Sequence, residues 1–187
     1  MSRKLPWRLS GVFGALAFLV LYLIAMSLDS GYVFGKNYLS DLGVSQGAWA
    51  FNSGVVTAGL MMMVFSWRGI GPVLGRALLA RLGAALLALS GLLLVSIGIF
   101  TENSGEVHTV VSYAFFLETL VTVAVIDLGL YASRALGMLG PTVSTAALAF
   151  GIGLLPFGGT PLVETLAVLD IIAWGVLLSL VLTFKGP

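Results

Sequence analysis

Long apolar runs alternate with short polar connections along this chain, and six of the runs approach or exceed the roughly 20 residues that a helix needs to cross a bilayer. They cover approximately 9–28, 49–65, 78–100, 108–132, 139–157 and 162–184. The second is short. Aromatic residues flank several ends, among them Trp7, Trp49, Trp67, Phe100, Tyr131, Phe157 and Phe184, as expected where an amphipathic ring settles at the interface. The pattern predicts one all-α domain over residues 1–187, an integral membrane bundle of six transmembrane helices. Ala25-Met26-Ser27 has the small-x-small look of a cleavage site. The apolar stretch before it is too long for a signal peptide, so it reads as the first spanning helix.

Composition agrees. The chain has 187 residues, of which 59% are hydrophobic and 9% charged, where a soluble domain carries about 25% charged residues. The mean hydropathy is +1.08. A net charge of +1 gives no reason to expect a nucleic-acid partner. The absence of cysteine excludes disulfides, thiolate-bound zinc, iron–sulfur clusters and thiol catalysis.

Orientation follows from the basic residues. Arg3, Lys4, Arg8, Arg68, Arg76, Arg81, Arg134 and Lys185 fall on one side, and of the nine basic residues Lys36 alone falls on the other. The positive-inside rule puts both termini in the cytoplasm of a multi-pass cell-membrane protein. The outer side then carries Asp29, Asp41, Glu102 and Glu106.

Four acids lie inside the apolar runs with no basic residue beside them: Glu118, Asp127, Glu164 and Asp170. An acid in the bilayer core costs about 2.5–3.5 kcal/mol on insertion scales. Such groups are expected to be protonated, hydrogen-bonded to neutral partners, or open to a polar cavity. Glu118 lies ten residues in from His108, about 15 Å deep at the helical rise and so near the midplane. Asp170 lies about 12 Å in from Leu162. If helices four and six pack together, the two acids meet and share a proton or hold a cation. The alternative is two separate acids, each bonded to a hydroxyl or carbonyl. Asp127 is expected to pair with Arg81, Arg76 or Arg134, and Glu164 to be solvated near the outer interface.

His108, Ser112, Phe115, Thr119 and Thr122 follow an i, i+4, i+7, i+11, i+14 spacing, which is one face of a helix. The face is partly polar and is expected to turn towards the bundle. His108 can serve a site or simply be an interfacial imidazole bonded to an outer-loop carboxylate. A stripe of Ala77, Ala84, Gly91 and Gly98 lets the third helix approach a neighbour closely, within the chain or in a dimer. In the long first outer connection, Asn37–Leu42 is expected to form one helical turn stopped by Gly43. HExxH, GxSxG and P-loop motifs are absent. A metal site would have to combine His108 with Asp41, Glu102 or Glu106.

The segment Asn37-Tyr38-Leu39-Ser40-Asp41-Leu42-Gly43-Val44, followed by Ala48-Trp49-Ala50-Phe51-Asn52-Ser53-Gly54, resembles the hallmark of the family called domain of unknown function 998. So does Gly98-Ile99-Phe100-Thr101-Glu102-Asn103-Ser104-Gly105, running into His108-Thr109 and Phe115-Phe116. Glu164 and Trp174 are similar too. Where the family often has Phe-Pro-Glu, this chain has Phe100-Thr101-Glu102. The resemblance implies a six-helix prokaryotic, often archaeal, integral membrane protein with no established activity. It also implies a distant likeness to eukaryotic six-helix families linked to lipid remodelling.

These readings converge on a polar pocket at the outer membrane face that binds a lipid or amphiphile. His108, Asp41 and Glu102 would contact a headgroup or metal, Ser40 and Asn52 would orient it, and Glu118 would extend polarity inwards. Bound membrane lipid is expected, without a further cofactor. A lipid hydrolase with His108 as general base lacks a clear nucleophile. Two alternatives stay open: a proton- or cation-coupled transporter using Glu118 and Asp170, and a non-catalytic accessory subunit. The last would act in a homo-oligomer or a larger membrane complex.

Overall fold

The computed structural model describes residues 5–75 and 78–185. Among them there is no strand, and six helices are long and apolar enough to cross a membrane. They are α1 (Ser10–Leu28), α2 (Ala48–Val64, continuing to Leu74), α3 (Leu78–Ile99), α4 (Glu106–Ser133), α5 (Leu139–Leu154) and α6 (Pro161–Lys185). The chain is a multi-pass membrane protein. Phe13, Leu16, Val20 and Leu23 project outwards from α1, as lipid in place of water allows.

The second span is longer than its hydropathy suggests. Trp67, Arg68 and the Gly69–Pro72 stretch interrupt the apolar run, but the helix continues through a π-helical turn, Phe65–Ile70. The Gly71 N–H donates to the Ser66 carbonyl, five residues back. The wider turn lets the chain pass Pro72, whose missing N–H would leave a gap in an α-helix. Gly75, at φ 89°, ends the element.

Each helix packs on its neighbours in sequence, and α6 returns to α1, so the six form a closed ring. Close contacts between small residues hold the seams. A Cβ added at Gly59 of α2 would lie 2.6 Å from the Gly91 carbonyl oxygen of α3, and one at Gly91 would lie 2.7 Å from that of Gly59. The small-residue stripe of α3 thus serves intramolecular packing on α2. Ala77 of that stripe, with Arg3, Lys4 and Arg76, lies outside the described residues. Gly11 of α1 is pressed against the Gly175 carbonyl of α6.

Alternation of direction gathers Arg8, Arg68, Arg81, Arg134 and Lys185 at one end of the ring, here the basic end. Asp29, Asp41, Glu102 and Glu106 gather at the other, the acidic end. A core of Phe65, Ile70, Leu87, Ile126, Leu178 and Leu182 fills the basic half. A second core, with Phe18, Tyr22, Leu39, Leu42 and Phe51, lies under the acidic end.

Candidate functional site

The α1–α2 connection folds back over the acidic end. Its 3-10 helix, Leu39–Val44, runs on through Gly43. Gly43 therefore does not stop the turn. Asn52 Nδ2 donates to the Gly43 carbonyl at 2.8 Å and supports the helix from below. Asp41 is a local cap: its carboxylate accepts from the Tyr38 N–H at 3.0 Å and from Asn37 Nδ2 at 3.3 Å. Tyr38 reaches across to the α5–α6 connection and donates to the Gly159 carbonyl at 2.7 Å.

Glu164 of α6 completes this roof. Its carboxylate accepts from the Leu39 N–H at 2.8 Å and bonds to the Ser40 hydroxyl. Glu164 is thus drawn inwards to the start of the 3-10 helix, where an unpaired amide favours an anion. The expectation of a merely solvated carboxylate is corrected. Tyr32 stands nearby, its hydroxyl 3.4 Å from that of Tyr22. Its phenol is pushed up from the usual value, first by burial, then by Tyr22 and the charges of Glu164 and Asp41.

Beneath the roof lies a cavity of about 480 Å³ with mostly apolar walls from α4, α5 and α6. Ser40, Glu102, His108, Ser112 and Glu164 line its acidic end, and Thr119, Asp170 and Trp174 line its deeper part. Tyr113 and Leu117 of α4 and Leu155, just beyond α5, also line it and are exposed on the outer surface of the ring. The cavity therefore opens sideways, between α4 and α5, towards hydrocarbon. A smaller cavity of about 120 Å³ lies in the centre of the ring. Phe116, Ile171 and Trp174 border both spaces, so they form the wall between them.

His108 does not meet a loop carboxylate. Its Nδ1–H donates to the Phe100 carbonyl at 2.7 Å, because that partner only accepts. Nε2 then remains an acceptor in the neutral ring, 3.4 Å from the Ser112 hydroxyl. Of the five residues expected to bind a ligand, His108, Glu102 and Ser40 line the larger cavity, whereas Asp41 and Asn52 hold the roof. Glu106 is exposed in the first turn of α4. Among the described residues no three His, Asp or Glu side chains converge as a metal-binding group.

The acids within the spans do not converge. Glu118 turns towards α3, where Ser90 donates to Oε2 at 2.5 Å, and Thr122 of its own helix donates to Oε1 at 2.7 Å. Asp170 turns towards α5: a Cβ added at Gly151 would lie 3.6 Å from Asp170 Oδ2. The two acids do not meet, because Glu118 faces α3 and Asp170 faces α5. Glu118 lines neither cavity, so it does not extend the pocket. Asp127 finds no arginine among the described residues. Thr145 of α5 donates to its Oδ2 at 2.9 Å, and its buried Oδ1 has no hydrogen-bond partner among the described residues. The polar stripe of α4 does face inwards, with Phe115, Thr119 and Thr122 fully buried.

The sequence reading gave no site role to Tyr38, Ser90 or Thr119. Ser90 offered a signal, as a hydroxyl set within the apolar run Leu86–Val95.

A model of the family described as "Protein of unknown function (DUF998)" matches residues 12–181. The match spans nearly the whole chain, so the chain belongs to that family. No curated protein and no solved structure matches it.

Proposed function

We propose that this member of the DUF998 family binds a lipid or amphiphile in the cavity between α4, α5 and α6, with the acidic end facing outwards and both termini in the cytoplasm. One observation carries the reading. The cavity is apolar along its walls, polar at one end, and open sideways beside Tyr113, Leu117 and Leu155. A chain entering from the hydrocarbon would fill the apolar part, while its headgroup would meet the polar groups that line the cavity. The volume falls within the roughly 300–1,000 Å³ usual for small-molecule pockets. The separation of Glu118 from Asp170 gives a coupled transporter no paired-acid site to support it. The stripe of α3 packs on α2 and so lends an accessory subunit no support.

Native mass spectrometry of the full chain, taken gently from membranes, tests the reading. One amphiphile-sized adduct per chain is expected. Val163→Trp, which fills the cavity from α6, should remove that adduct, with an unchanged elution profile as the control for folding. A chain that carries no adduct, and takes none up from added amphiphiles, overturns the reading.

A further inference from the structure

The larger cavity has a one-sided charge. Glu102, Glu164 and Asp170 line it, and among the described residues no Lys or Arg does. Glu164 is engaged by Leu39. Asp170, deeper in, has neither a hydrogen bond nor an ion pair among the described residues. An open carboxylate at that depth is costly unless something meets it.

Two further groups lie with it. Thr119 of α4 lines the same cavity and is 2% exposed, and its buried hydroxyl has no hydrogen-bond partner among the described residues. Buried polar atoms are normally partnered, so this hydroxyl is free to bond a ligand. Trp174 follows Asp170 by one helical turn, which sets both on one face of α6. Its indole N–H is engaged by Ser144 at 3.0 Å and the residue is 2% exposed, so it walls the cavity and offers a ligand no donor.

An anionic headgroup would face three carboxylates with no compensating cation, and like charges in one site repel strongly. We propose that the amphiphile of this cavity is a cation, an amine or quaternary ammonium on an apolar chain, with Asp170 as its counter-charge. This rests on the cavity being an amphiphile site. Glu102 and Glu164 at the acidic end favour the same sign of charge in the cavity. The Thr119 hydroxyl flanks the bound nitrogen, and the apolar chain lies along the α4–α5 opening.

The test uses the purified full chain in a non-ionic detergent, titrated with dodecyltrimethylammonium, dodecyl phosphate and dodecanol and read by native mass spectrometry. The ammonium should bind one per chain and at least about tenfold more tightly than the phosphate. Asp170→Asn should erase that preference, and Asp170→Glu, which keeps the charge, should retain it. Competition between the probes on the wild-type chain gives the charge preference whether or not the Asn variant folds. Equal binding of all three probes overturns the cation inference and leaves the amphiphile reading standing. Binding of none overturns both. A preference that survives Asp170→Asn overturns the role of Asp170.

Discussion

The carboxylate of Glu164 holds the backbone N–H of Leu39, 125 positions earlier in the chain, at 2.8 Å. That bond ties the first loop to the last helix and closes the acidic end over the cavity. The candidate site therefore depends on a contact between distant parts of the sequence.

Glu164→Ala should free the loop. Losing a charged acceptor and leaving an amide unpaired costs about 1–3 kcal/mol. Hydrogen exchange should accelerate at Leu39–Val44, while the middle of α3 keeps its protection. Glu164→Gln, which retains an acceptor oxygen, should show a smaller effect.

Ser90→Ala should lower stability by about 1–3 kcal/mol, because half-buried Glu118 loses the donor to its Oε2. Glu118→Gln should be milder, since an amide can donate to Ser90 and accept from Thr122. Thermal unfolding in detergent compares the two. Equal losses would mean that the Ser90–Glu118 bond carries little.

Gly59→Ala and Gly91→Ala should each destabilise by about 1–3 kcal/mol, through a methyl forced against the facing carbonyl. The same melts measure it. Gly153→Ala is the control, because nothing lies within 4 Å of a Cβ added there.

Alkaline pH should weaken the acidic end. The Tyr32 phenol titrates higher in the folded chain than the ordinary tyrosine value near 10. Its stabilising contribution is complete below about pH 10 and is lost as pH rises towards the folded value. Melts at pH 9 and pH 11 should show a larger drop for the wild type than for Tyr32→Phe. Identical slopes would count against a buried phenol.

Several elements were legible because lipid imposes them. The spans of α1, α3, α4, α5 and α6 follow from apolar length, since each backbone must satisfy its own hydrogen bonds in hydrocarbon. The inward face of α4 followed from the period of its hydroxyls and Phe115. The end of α2 did not, because the glycines and proline that normally stop a helix are absorbed by a π-turn.

By itself the sequence determined a six-helix membrane protein with charge sorted to its ends and polar groups turned inwards, since the solvent rewards that pattern in any such chain. Tertiary structure alone decided which acid meets which partner. Glu118 went to Ser90, Asp127 to Thr145 and Glu164 to Leu39, while Asp170 was left facing a cavity. Hydropathy fixes how deep a side chain lies along its helix. The order of helices around the ring, and each helix's rotation within it, come from side-chain packing that no single segment encodes.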